Sequence, residues 1–184
     1  SVPLVVQQVF AAYEALNSGG TPVLSHNRPF RDYIEWLQAQ DQAGARVFWQ
    51  DSLRGFIAPT PLPSAVAQDA IQNPLPDHQE LVVQLPLAFG QILKDFAKHH
   101  RLTVNSITQG AWGLLLSRYS GEDDVVFGAT TAGRPATLSG IESMIGLFLN
   151  TLPVRIGVEP ETNLIEWLQG IQNHQLNIQQ YEYA

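Results

Sequence analysis

The sequence predicts an α/β architecture, with helices layered on one face of a mixed sheet. Three observations carry this. Apolar residues recur at helical spacing through several segments. Two short apolar runs, 125–127 and 145–155, bracket a Gly/Thr/Ser/Pro-rich segment that no regular element accommodates. A Pro/Ala/Ser-rich connector from Phe56 to Asp77 separates a helical first part from a part that contains strands.

The elements follow in order. Pro3 to Leu16 reads as a helix, with Pro3 in the first turn and Leu4, Val5, Val9 and Ala12 on one face. Asn17 to Gly20 end it. Pro29 to Gln40 is a second helix that presents Phe30, Tyr33, Ile34 and Leu37. Ala45 to Leu53 is a third, carrying Phe48 and Trp49, which read as core aromatics. Beyond the connector, Glu80 to Leu85 reads as a strand. Pro86 to His100 is a helix with Phe89, Ile92, Leu93 and Phe96 at i, i+3, i+4 and i+7. Thr103 is placed to cap the next helix, Val104 to Tyr119. That helix is apolar nearly all round, which predicts burial between layers. Gly121 stops it. Val125 to Phe127 reads as a buried strand, and Ile145 to Arg155 as another. In the second, Leu147, Leu149, Thr151 and Pro153 share a face. Thr162 or Asn163 starts a last helix, with Leu164, Trp167, Leu168 and Ile171 turned inward.

Composition narrows the function. The chain has 184 residues, 45% hydrophobic and 15% charged, which is globular composition. A formal net charge of −7 and the lack of a dense Lys/Arg patch argue against a nucleic-acid partner. With no cysteine, disulfides, Cys-ligated zinc and a Cys nucleophile are excluded. No apolar run approaches the ~20 residues that span a bilayer, and no signal-peptide pattern is present, so a cytoplasmic chain is the expectation. The start, SVPLVVQQVF, enters a helical pattern without a Met and reads as part of a longer polypeptide.

VVFGATTAGRP followed by GIESMIGLFLNTLPVRI resembles a signature of the condensation domains of nonribosomal peptide synthetases. The resemblance implies a fold of two lobes, each similar to chloramphenicol acetyltransferase. Residues 1–78 would be the C-terminal helices of the first lobe plus the connector. Residues 79–184 would be the first part of the second lobe. It also implies a reaction, amide formation between acyl or aminoacyl groups carried as thioesters on phosphopantetheine arms. The implied partners are upstream and downstream peptidyl carrier domains and an adjacent adenylation domain, with no cofactor bound directly.

The family's HHxxxDG motif is absent from the chain, which the resemblance places just after that motif, so no catalytic residue is assigned. His99-His100 is the one adjacent pair, and it is rejected. The positions for Asp and Gly hold Val104 and Asn105, and the pair ends an amphipathic helix, where His suits the dipole. His26, His78 and His174 lack partners at metal spacing, so no metal site is assigned. No phosphate loop and no GxSxG elbow occurs. What remains is tunnel wall. Asn150 sits in an apolar strand and either braces the backbone or faces a polar ligand; the resemblance favours a positioning role. Arg134, before Pro135, reads first as a loop pin through a salt bridge and second as a substrate contact. Thr130 and Thr131 are candidate hydroxyl donors to a developing oxyanion. Trp112 reads first as core and second as a residue of the acceptor channel.

Other readings differ in class. One is a non-catalytic piece that docks carrier domains through Arg28, Arg31, Lys94, Lys98 or Arg101. Another is an epimerisation or acyltransferase relative of the same superfamily. An incomplete domain is also expected to leave Leu147, Leu149 and Trp167 less buried than a complete one would.

Overall fold

The computed structural model describes residues 2–61, 82–135 and 137–184. Their elements are α1 (Val2–Asn17), α2 (Arg31–Gln38), α3 (Gln42–Ser52), α4 (Leu87–His99), α5 (Val104–Ser120), β1 (Asp124–Thr131), a 3-10 turn (Ile141–Ser143), β2 (Asn150–Gly157) and α6 (Leu164–Gln179). Helices combined with a strand pair give the expected α/β class. The sheet has two strands among the described residues. They run antiparallel: just past the end of β2, Val158 N–H donates to the carbonyl of Asp123, immediately before β1, at 2.7 Å.

The chain divides into two compact units that are not contiguous in sequence. The first comprises Ser1–Phe48, Thr130–Leu152 and Tyr181–Ala184, and the second Trp49–Ala129 and Pro153–Gln180. Both strands pass from one unit to the other.

The first unit is centred on Tyr33, Leu138, Ile141, Met144 and Phe148, with Phe30, Trp36 and Leu37 packed around them. Its rings meet at an angle: Phe30 and Phe148 are edge-on at 5.2 Å, and Tyr33 and Phe148 tilted at 4.9 Å. Such pairs add directional attraction to area burial. The last four residues join this unit. Tyr181 stacks on Phe48 at 4.3 Å, and the Tyr183 hydroxyl donates to the Asp41 carbonyl at 3.1 Å. The polar run at the end of the chain carries no hydrophobic signal of this packing. Helix α1 forms as expected, yet none of its residues is buried. Among the described residues its apolar face is only partly covered, with Val2, Val9, Phe10 and Leu16 exposed.

The second unit holds a core of Leu102, Leu116, Val125, Val154, Ile156, Leu168 and Ile171. In β2 the inward positions are Leu152, Val154 and Ile156, so the period-2 alternation is present. The expected strand from Ile145 starts only at Asn150. Before that point Gly146 sits so close to Phe30 that a Cβ there would overlap the ring. Leu147 and Leu149 fall in this non-strand segment and are 74% and 64% exposed; Trp167 is half-buried. Of the strand expected over 80–85, residues 80 and 81 lie outside the described residues. Residues 82–85 are not in a ladder, with Val82, Val83 and Leu85 exposed. Residues 62–77 of the connector and His78 also lie outside. Within its described part, the Thr60 hydroxyl accepts from Val126 N–H at 2.9 Å and donates to Val126 C=O at 3.1 Å.

Helix α5 departs most from expectation. Thr103 caps it, accepting from Ser106 N–H at 3.0 Å, and Gly121 ends it in the left-handed conformation. Its buried positions, however, are Ser106, Gly110, Gly113, Leu116 and Ser117, while Trp112, Leu114 and Leu115 are exposed. The expectation of burial on all sides is therefore corrected. The small residues let neighbours approach closely, and the large ones are left outside. A Cβ at Gly110 would stand 2.7 Å from Leu168 Cδ2, and one at Gly113 2.9 Å from Ile156 Cδ1. The polar edge of this contact is satisfied by Gln172, whose Oε1 accepts from Thr103 N–H at 2.7 Å and whose Nε2 donates to Arg101 C=O at 2.9 Å.

This packing can be tested at two positions. Gly113→Val should destabilise by about 1–3 kcal/mol through overpacking against Ile156, measured by urea unfolding of the domain that carries this chain. His174, on α6, has its pKa lowered below the usual 6.5 by burial and, secondarily, by Arg155. The unfolded chain therefore binds the proton more readily. Its contribution should be constant above about pH 6.5 and stability should fall as the pH drops below that toward the lowered folded value. His174→Leu should flatten that part of the profile relative to the unsubstituted protein.

Candidate functional site

The site is built from residues 131–135 and 137–150 of the first unit. Gly133 has φ +55°, and a Cβ there would overlap the carbonyl oxygen of Phe148. Only glycine meets both conditions. This lays the turn against the segment that leads into β2. Arg134 then reaches across. Its guanidinium donates to the carbonyl of Ile141 and, at 3.3 Å, to that of Met144. Its Cζ lies 3.9 Å from the centre of the Phe148 ring, a contact worth about 0.5–2 kcal/mol. The planar guanidinium suits this combination of stacking and forked donation, which an ammonium does not reproduce. The sequence predicts a salt bridge that pins the loop at Arg134; the contacts named here run to carbonyl oxygens and a ring.

Asn150 is half-buried at the start of β2. Its Nδ2 donates to the Glu182 carbonyl at 2.8 Å, and its Oδ1 accepts from Thr151 N–H at 2.9 Å. Both ends of the amide thus brace backbone, and Nδ2 keeps a second N–H. Thr131 Oγ1 accepts from Gly133 N–H at 3.4 Å, and Thr130 is exposed. Trp112 belongs to the second unit, on the exposed side of α5. The structure therefore gathers Thr131, Arg134 and Asn150 in one unit and leaves Trp112 in the other. His99 is the last residue of α4 and His100 its C-cap, with the His100 ring 4.6 Å from that of Phe96.

Three contributors to the order of this loop are not assigned that role by the sequence. Arg28 donates to Asp32 at 2.7 Å and to the Ser139 carbonyl, clamping the loop to α2. As a docking cation it is already engaged, as is Arg31 with Glu35 at 2.8 Å. Tyr33 lies under the turn, its hydroxyl 3.7 Å from where a Gly133 Cβ would be. Its pKa is raised by burial and by Glu182, so it remains a phenol at neutral pH. Phe148 supplies both the carbonyl and the ring. The one sequence signal for this set is the Gly-Arg-Pro turn itself.

This loop belongs to a recognisable class. The condensation domain family model matches residues 1–184, and the chain belongs to that family. It is 50% identical over 187 residues to one of the linear gramicidin synthase subunits of Brevibacillus parabrevis, an alignment that covers 100% of this chain and 4% of that protein. The fold is shared with a solved complex of the X-domain and OxyB from teicoplanin biosynthesis, at TM-score 0.76 and 23% identity over 100% of this chain and 42% of that one. It is shared too with the first condensation domain of the CDA synthetase, at TM-score 0.68 and 15% identity over 94% and 38%. The chain spans about two fifths of the length of those solved chains.

The clamp should be measurable in the domain that carries this chain. Gly133→Ala and Arg134→Lys should each raise amide hydrogen exchange across residues 137–149 by about tenfold, read by mass spectrometry. Unchanged protection in both variants would remove the clamp as the feature that orders the loop.

Proposed function

We propose that this chain forms part of a condensation domain that makes amide bonds between carrier-bound acyl or aminoacyl thioesters during nonribosomal peptide synthesis. The observation that carries this reading is the family match across residues 1–184, with 50% identity to a linear gramicidin synthase subunit. In this reading residues 1–78 end the first lobe, residues 79–184 begin the second, and the clamped loop forms tunnel wall. The acceptor amine attacks the donor thioester carbonyl, the thiolate of the phosphopantetheine arm leaves, and the amine gives up a proton. The imidazole that handles this proton belongs to an HHxxxDG motif outside this chain. The second Nδ2 proton of Asn150 positions substrate or donates to the developing oxyanion. Thr130 and Thr131 are the lesser candidates for that donation, and Trp112 for the acceptor channel. Carrier domains on either side and a neighbouring adenylation domain are the proposed partners, in the cytoplasm. Among the described residues no helix is long and apolar enough to cross a membrane.

A docking role without catalysis is the second reading. It is favoured by one observation, that a solved relative of this fold was determined in complex with OxyB. The two readings part in a direct assay of amide formation from two loaded carrier domains. The complete domain that contains this chain should turn over, and the isolated chain should not. Asn150→Ala in the complete domain should lower turnover by about tenfold to a hundredfold. Turnover by the isolated chain, or an inactive complete domain with HHxxxDG intact, would overturn the proposal.

A further inference from the structure

The amide of Asn150 is held at both ends, and one of its partners lies far along the chain. Its Oδ1 accepts from the adjacent Thr151 N–H at 2.9 Å, while its Nδ2 donates to the carbonyl of Glu182, 32 positions later, at 2.8 Å. An amide group is planar, so fixing Oδ1 and one N–H also fixes where the second N–H points. The direction of that second N–H is therefore no more precise than the position of the Glu182 carbonyl.

That carbonyl is flanked by two anchored tyrosines. Tyr181 lies nearly parallel to the ring of Phe48 on α3, at 4.3 Å and 19°. Tyr183 donates its hydroxyl to the Asp41 carbonyl at 3.1 Å and sets its ring edge-on to Trp36 at 6.3 Å. A turn closes the segment, with Ala184 N–H donating to the Tyr181 carbonyl at 3.2 Å. From Trp36 the ring contacts run on to Tyr33 at 6.0 Å, and from Tyr33 to Phe148 at 4.9 Å. Phe148 stands two residues before Asn150. One aromatic cluster thus places both the backbone that carries Asn150 and the carbonyl that its amide meets, and all of these residues belong to the first unit.

We propose that Tyr181 and Tyr183 are positioning residues for the amide-forming reaction. They act through Glu182: by holding its carbonyl they aim the second N–H of Asn150 at the substrate or the developing oxyanion. This rests on the role given to Asn150 above and adds the part of the structure that sets its direction. A donor aimed before the reaction has no reorientation left to make as charge develops. With the anchors gone, the amide turns among other partners and the donor is misplaced at the transition state. The loss therefore falls on kcat rather than on substrate binding.

The test is a double-mutant cycle in the complete domain that carries this chain, with kcat and KM measured for amide formation from two loaded carrier domains. Tyr181→Ala should lower kcat by about tenfold and leave KM within about twofold. Tyr183→Phe, which removes a hydroxyl and keeps its ring, should lower kcat by about threefold, and it carries the test if Tyr181→Ala does not fold. Tyr181→Phe keeps the stacked ring and should recover most of the loss. In an Asn150→Ala background each tyrosine substitution should cost less than about twofold, because the group it aims is gone. Losses that multiply with that of Asn150→Ala, a loss confined to KM, or full turnover in both Tyr181→Ala and Tyr183→Phe would each overturn the proposal. Full turnover in the tyrosine variants beside an impaired Asn150→Ala sinks the tyrosines' part alone. A fully active Asn150→Ala removes the role of Asn150 itself, and this proposal with it.

Discussion

The backbone at Gly133 and the carbonyl of Phe148 are too close for any side chain between them, and the order of the candidate site depends on that approach. A turn held this close has carbonyl oxygens facing inward, and these need donors. Arg134 supplies them for Ile141 and Met144 while resting on the Phe148 ring. Arg28 supplies a donor to Ser139 from the other side. The loop is therefore fixed by two guanidinium groups that act mainly on backbone. That is a suitable way to hold an irregular segment, because forked donors fit scattered carbonyls that no ladder can pair.

The second unit uses the same device in another form. Glycine at 110 and 113 lets α5 lie against Leu168 and Ile156, and the core forms on that close contact. Arg155 then joins Asp124 at the start of β1 to the carbonyls of Ser52 and Arg54. The ion pair alone is partly exposed and would contribute about 1 kcal/mol or less. Its value lies in geometry, since one planar group on β2 ties together the start of β1 and the stretch at the end of α3.

Local features of the fold are legible in the sequence, and long-range ones are not. Helix spans follow from the 3.6-residue periodicity, and Thr103, Asn163 and Gly121 act at the helix ends as their chemistry predicts. The buried face of α5 escapes a hydropathy reading, which weights large side chains, whereas the seating is done by Gly and Ser, which carry almost no hydrophobic signal. The start of β2 lies five residues later than the pattern suggests, because Leu147 and Leu149 continue the alternation without pairing. Within the site, Arg134 and Asn150 stand out as polar residues in turn or apolar surroundings. Arg28 reads as one of several candidate docking cations and not as a loop clamp, because its partners at Ser139 and Ser143 lie more than a hundred positions away.

The Thr60 hydroxyl, which meets both backbone groups of Val126, stands in for a neighbouring strand at a single rung. It couples the path of the connector to the pleat of the sheet, since one oxygen must be donor and acceptor at once. A serine could occupy that place. A valine, though nearly the same shape, would strip Val126 of both partners and open the strand's margin to whatever extended polypeptide came first.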